Sequence, residues 1–294
     1  MTFAGIRPVL PSPFAAAPGA PLVLPELATL ARRMAEEGVD GIVALGLASE
    51  AAALDDAERD AVVEIAAAGP LPVTVGVHGT TTVAAARAAR AARLGARSLM
   101  VLPPPHTDLV RHVAALADAG LPILVQDAPQ VTGVRLDADE LVGLRDAVPA
   151  VRAVKVEGPA AGPKISELVA AGLQVVAGWG GLNYPEALRR GAGGLMPGCD
   201  LAAAFAALQA AWRAGHQDEA DERYAALLPY LAYQAQSLEL LVLAAKRELV
   251  RRGIFGTDRM RDPAATLDPI QKAWLERCRQ RLADRGVPGW ADAS

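Results

Sequence analysis

A short β-branched apolar run, a turn rich in Gly, Pro, Asn or Asp, and an Ala/Leu-rich helical stretch closing on glycine recur from the first residues of this 294-residue chain to Gly215. The apolar runs are Ile6 to Leu10, Gly41 to Leu45, Pro72 to Val77, Ser98 to Leu102, Pro122 to Val125, Val151 to Val156, Leu173 to Ala177 and Gly194 to Met196. Between the first two, Leu27, Leu30, Ala31 and Met34 share one helical face and Gly38 suits the cap. Asp55 followed by Glu58 has capping-box spacing ahead of a helix ending near Gly69. Thr82 to Leu94, Leu109 to Ala119, Asp137 to Ala147, Pro163 to Ala171, Tyr184 to Arg190 and Leu201 to Ala214 supply the other helices. Strands alternating with helices argue for parallel pairing. About eight such units is the number that closes a (β/α)8 TIM barrel, so the expected class is α/β.

After Gly215 the pattern changes: Asp218 to Gln234, Ser237 to Arg252 and Asp268 to Arg285 read as helices with no strand between them. Residues 1–214 are therefore expected to form the barrel, and 215–294 a C-terminal helical extension packed on it rather than tethered to it. With 52% hydrophobic residues the chain can bury a large core, and one barrel of this length needs no second domain. Abundant alanine lets small side chains pack helix faces, which blurs their periodicity.

Composition also excludes several functions. No apolar run approaches the roughly 20 residues that cross a bilayer, and the first residues lack a basic segment followed by a hydrophobic one. A soluble, cytoplasmic protein is expected. A formal charge of −4 gives no basic footprint for nucleic acid, so the expected partner is a small molecule. Cys199 and Cys278 share no short motif and read as free thiols, not a disulfide framework or a zinc pair. The four histidines show neither His-x-His nor Glu-x-x-His spacing, so no metal is expected.

Barrel chemistry gathers at the C-terminal ends of the strands. There the sequence places Gly46-Leu-Ala-Ser-Glu50, His78-Gly79-Thr80, Pro105-His106, Gln126-Asp127-Ala-Pro129, Lys155-Val-Glu157, Gly178-Trp-Gly-Gly181 and Pro197-Gly-Cys199. Lys155 is the most informative of these, because it closes a run that reads as a buried strand. Desolvation lowers a lysine's pKa toward the free amine. A free amine condenses with a 2-oxo acid to give an iminium that acts as an electron sink without metal or coenzyme. The alternative is a strand-end lysine whose stem covers apolar surface while its head reaches water.

In order, Gly5 to Phe14, Gly46 to Glu50 with Leu54 to Arg59, Pro72 to Gly76, Leu102 to Pro105, Pro122 to Pro129 and the Lys155 strand resemble the dihydrodipicolinate synthase/N-acetylneuraminate lyase family over nearly the whole chain. The resemblance implies a (β/α)8 barrel with a helical extension, a homo-oligomer (tetramer or dimer), no cofactor, and a Schiff base on the lysine that Lys155 matches. This chain departs from the synthase and the lyase at three places. Gly46-Leu-Ala-Ser-Glu50 replaces a hydroxyl-rich loop, Gln126 stands at the catalytic tyrosine's position, and Val131 at that of the synthase's carboxylate-binding arginine. Val125 to Pro129, Val154 to Glu157, and Ser49-Glu50 with Asp55 to Arg59 are instead similar to the L-2-keto-3-deoxyarabonate dehydratase branch.

The expected reaction is dehydration of a 2-oxo-3-deoxy sugar acid. The competing readings are a retro-aldol lyase releasing pyruvate and a non-catalytic barrel that binds a 2-oxo acid. The resemblance implies that Ser49 and the amides around Ala48 hold the substrate carboxylate; Ser49 can equally cap a turn. Glu50 orients the loop, relays protons or completes a cap. Gln126 and Asp127 are candidates for handling the departing hydroxyl, Asp127 as proton donor and Gln126 as hydrogen-bond donor; Asp127 can instead make a turn with Pro129. Glu157, two residues past Lys155, points the same way and is either the base or a solvated rim residue. His78 and His106 are substrate contacts or surface groups. Trp179 and Gly180 follow the seventh strand, where phosphate-binding barrels hold phosphate; with no Lys or Arg beside them, an unphosphorylated substrate is favoured.

Overall fold

The computed structural model describes residues 3–261 and 266–290. Its strands are β1 (Gly5–Ile6), β2 (Ile42–Ala44), β3 (Val73–Val77), β4 (Ser98–Val101), β5 (Ile123–Asp127), β6 (Val151–Val156), β7 (Gln174–Ala177) and β8 (Gly194–Leu195). All pair in parallel in the order β1-β8-β7-β6-β5-β4-β3-β2. Val9 bridges both Val43 and Gly198 and closes the ring. The chain is thus a TIM barrel. β1 and β8 are shorter than their apolar runs, because Pro8 and Pro197 lack the N–H that a ladder requires. β5 runs two residues past the end of its run: Gln126 pairs with Lys155 and Asp127 with Val156.

Around the ring lie α1 (Leu24–Glu36), α2 (Asp56–Ala67), α3 (Thr81–Arg93), α4 (Leu109–Ala117), the single turn α5 (Pro129–Thr132), α6 (Ala138–Ala147), α7 (Gly162–Ala170), α8 (Tyr184–Arg189) and α9 (Ala202–Arg213). The stripe Leu27, Leu30, Ala31 and Met34 is the buried face of α1, and Gly38 follows it at φ 76°. Asp55 and Glu58 form the capping box of α2. Asp137 with Glu140 does the same for α6. Inside the barrel, Phe3, Val9, Val43, Met100, Leu124, Ala153, Val176 and Met196 pack as a separate apolar plug. On β5 and β6 the next inward residues are Gln126 and Lys155, so the polar groups stand directly on that plug.

The C-terminal helices are α10 (Gln217–Gln234), α11 (Leu238–Arg251) and α12 (Pro269–Asp284). α10 packs on α9, and α11 reaches the 3₁₀ turns Leu47–Ser49 and Cys199–Leu201 that follow β2 and β8. The contact to the first turn is ionic. Lys246 of α11 is fully buried, is paired with the Glu50 carboxylate, donates to Arg259 O at 2.8 Å, and lies 4.6 Å over the Phe14 ring. Glu50 also accepts from the Arg261 amide at 3.0 Å, holding its own left-handed backbone (φ 54°) against the extension. Breaking one side of a buried pair strands a charge. Lys246→Ala is therefore expected to lower the unfolding free energy by roughly 3–5 kcal/mol in denaturant titration. The uncharged pair Lys246→Met with Glu50→Gln should recover much of that loss.

Candidate active site

A cavity of about 510 Å³ opens at the C-terminal end of the barrel. Its floor is Lys155 and Gln126 above the apolar plug, its sides carry Leu47, Ala48, Trp179, Gly180 and Gly198, and its outer wall is the α10–α11 junction from Ala235 to Leu241. Lys155 is 5% exposed and does not stand alone: its Nζ lies 2.6 Å from Glu157 Oε1. The Glu157 side chain is only 9% exposed, so it is an inner member of the site and not a solvated rim residue. Gln126 Nε2 donates to Glu157 Oε1 at 3.1 Å and Gln130 Nε2 to Oε2 at 3.3 Å. Gly178, at the end of β7, makes room for it; a Cβ there would come within 2.3 Å of Glu157 Cγ. Lys155, Glu157 and Gln126 thus form one hydrogen-bonded group on two neighbouring strands.

The longer β5 overturns the expectation for Asp127. Because successive strand residues alternate faces, Gln126 inside puts Asp127 outside. Its carboxylate pairs with Lys164 of α7 at 2.6 Å, away from the cavity-lining residues. Burial raises its pKa while Lys164 opposes the shift. Asp127 ties the barrel to α7 and faces no substrate. Gln126 also departs from a pure donor role toward substrate: one amide N–H serves Glu157, and its buried Oε1 has no partner among the described residues.

Glu50 points at Lys246 rather than into the cavity. Ser49 is buried behind the lining, and its carbonyl accepts from Ser12 Oγ at 2.6 Å. Ala48 does line the cavity. In its turn the Ser49 amide donates to Gly46 O and the Glu50 amide to Leu47 O, so the two preceding amides have no acceptor within the turn. Trp179, at φ 50°, and Gly180, at φ 61°, line the opposite side. His78 does not reach the cavity: its Nε2 bonds Leu45 O at 2.9 Å, bracing a leucine held at φ 57°. His106 is exposed and likewise outside the lining. Sequence reasoning missed Gln130 and the junction residues Gln236, Ser237 and Glu239. Ser237 did carry a signal, as the N-cap of α11, but a cap does not reveal what the helix start faces.

Among the described residues that line the cavity there is no tyrosine, and Lys155 is the sole cation. No group of three or more potential metal ligands occurs among the described residues. No described helix is long and apolar enough to cross a membrane.

A profile of the Dihydrodipicolinate synthetase family matches residues 2–280. The chain belongs to that family. As a dihydrodipicolinate synthetase-family lyase it has relatives of more than one specificity. It is 33% identical to an L-2-keto-3-deoxyarabonate dehydratase from Azospirillum brasilense, over 98% of this chain and 96% of that protein. A putative dihydrodipicolinate synthetase structure from Pseudomonas aeruginosa superposes with TM-score 0.88 at 26% identity, covering 96% of this chain and 100% of the other. A prophage protein of the family from E. coli K12, solved in complex with pyruvate, gives TM-score 0.87 at 24% identity over 96% and 99% of the two chains. Enzymes of the family form a Schiff base through a catalytic lysine and need no metal.

His78 generates a pH prediction. Burial holds its imidazole pKa below the ordinary value near 6.5, so the folded state keeps it neutral where the unfolded chain protonates it. Its contribution is therefore complete above about pH 6.5 and is lost as pH falls toward the lower folded value. His112 is shifted the same way. Unfolding free energy should decline as pH falls from about 6.5 to 5, and His78→Gln should make that decline shallower without abolishing it.

Proposed function

We propose that the protein is a Schiff-base lyase that dehydrates a 2-oxo-3-deoxy sugar acid, L-2-keto-3-deoxyarabonate or a close analogue, with Lys155 as the imine-forming residue. The observation that carries this reading is Glu157 against Lys155 Nζ at 2.6 Å, inside a family cavity whose described lining contains no tyrosine. The relative from Azospirillum brasilense, matched nearly end to end, supports the same substrate class.

Glu157 takes the ammonium proton of Lys155, and the freed amine adds to the C2 ketone. Glu157 returns that proton to the carbinolamine hydroxyl, which leaves as water, and the iminium forms. The iminium acidifies C3, where the Glu157 carboxylate removes a proton to give the enamine. The enamine then expels the C4 hydroxyl, protonated from Glu157, as a second water. For the arabonate-derived acid, loss of a C5 proton and return of one to C3 leave a C4–C5 enol, which becomes the aldehyde by losing its O–H proton and gaining a proton at C4. Hydrolysis of the imine consumes one water and releases 2-oxoglutarate semialdehyde, so the net loss is one water. The substrate carboxylate is assigned to the free amides at the start of the Leu47–Ser49 turn beside Ala48. Trp179 and Gly180 form the facing wall. Gln126 and Gln130 hold Glu157 in reach of C3.

Borohydride trapping with pyruvate and with L-2-keto-3-deoxyarabonate, followed by peptide mass analysis, tests the reading. An adduct on the Lys155 peptide, absent in Lys155→Ala, is expected, with the dioxo acid as product. Pyruvate as product makes the protein an aldolase, and no adduct with any 2-oxo acid makes it a binding barrel. Glu157→Gln should still be trapped but lose about 10²–10⁴-fold in turnover, the usual share of a general acid–base group.

A further inference from the structure

Two independent features of the cavity bear on what the substrate carries beyond its imine-forming end. The first is a missing donor. Gln126 is 1% exposed, its Nε2 donates to Glu157, and its Oε1 is buried on the cavity floor without a partner among the described residues. The contact to the Glu157 carboxylate fixes the amide orientation, since only the nitrogen end donates. An unmatched buried acceptor calls for an O–H or N–H. An ionised carboxylate has none to give.

The second is a missing cation. Lys155 is the sole cationic side chain among the described lining residues and is already matched by Glu157 at 2.6 Å. The outer wall adds a further negative charge, Glu239, in the first turn of α11, next to the neutral groups of Gln236 and Ser237. Ser237 Oγ accepts the Leu240 amide at 3.1 Å, which leaves its own O–H to donate. A second carboxylate on the ligand would meet Glu239, which has no ion pair among the described residues, whereas a hydroxyl would find acceptors on the floor and on the outer wall.

We propose that the α10–α11 junction is the specificity wall of this site: Glu239 rejects 2-oxo dicarboxylates, and Gln126 Oε1 accepts from a hydroxyl on an uncharged tail. This deepens the proposed function by defining its substrate class, and it rests on Lys155 forming the imine.

The test uses imine formation alone, so it does not depend on whether the bound acid is later dehydrated or cleaved. Borohydride trapping on the full chain is titrated with three five-carbon acids: 2-oxopentanoate, 5-hydroxy-2-oxopentanoate and 2-oxoglutarate. None carries a C4 hydroxyl to eliminate. The hydroxy acid should half-saturate at the lowest concentration and 2-oxoglutarate at a concentration about tenfold above 2-oxopentanoate, the size expected of like-charge repulsion in a partly wet site. Glu239→Gln should narrow the last ratio severalfold, and Glu239→Lys should close or reverse it. A wild type that binds 2-oxoglutarate as well as 2-oxopentanoate, or a ratio unmoved by both substitutions, overturns the proposal. Trapping of the monocarboxylates with pyruvate as the sugar-acid product would sink the dehydratase reading and leave the specificity wall standing. No trapping of any acid sinks both.

Discussion

The contact between Lys155 Nζ and Glu157 Oε1 places an ammonium and a carboxylate 2.6 Å apart where neither side chain is more than a tenth exposed. Removing two charges from water is costly, and their attraction repays the cost only when the remaining lone pairs are also satisfied. Gln126 and Gln130 supply those bonds, one to each carboxylate oxygen. The arrangement makes demands on the rest of the chain. β5 must run far enough to set Gln126 beside Lys155, β7 must end in a residue without a side chain at Gly178, and the apolar plug must fill the barrel up to the level of the pair. These are requirements on three strands and the barrel interior.

Strand parity explains both what the sequence made legible and what it concealed. All eight strands were readable as apolar runs, since parallel strands covered on both faces need not alternate. The same uniformity hides which residue of a run faces inward. Lys155 and Glu157 could be placed on one side from their spacing alone, and the structure has them there. For Gln126 and Asp127 the apolar run stopped at Val125, so both read as strand-end residues able to point at substrate. Because the strand continues through them, one is sent in and the other out to Lys164. The tyrosine-to-Gln126 replacement was visible only by resemblance, and its physical meaning, an acceptor left without a donor, needed the neighbouring Glu157 in place.

The C-terminal helices were legible as helices, with Ser237 and Asp268 both acting as N-caps. Their engagement with the barrel was not, because no local pattern announces that Lys246 will be fully buried or that Glu50 is its partner 196 positions earlier. A lysine on the inner face of an amphipathic stretch reads as a solvated charge until the fold supplies its carboxylate. The consequence reaches the cavity through the backbone: Glu50 follows the Leu47–Ser49 turn directly, and α11 begins at the junction that forms the outer wall. The extension thus lines the cavity with its own first turn and, through the buried pair, anchors the residue that follows the Leu47–Ser49 turn.

Elimination and retro-aldol cleavage share the same iminium and differ in which proton is taken. Elimination draws it from C3, the carbon attached to the imine carbon; cleavage draws it from the oxygen on C4, one carbon further out. A base bonded to the amine before substrate arrives is held close to the imine carbon, and Glu157 Oε1 has that relation to Lys155 Nζ. Its other oxygen accepts from Gln130 Nε2 at 3.3 Å. In the proposed reading one carboxylate takes the C3 proton and returns a proton to the leaving hydroxyl. In that reading the proton-transferring group is a carboxylate just past β6, beside the amine, and not a phenol on β5, a placement that suits loss of water better than scission of the carbon chain.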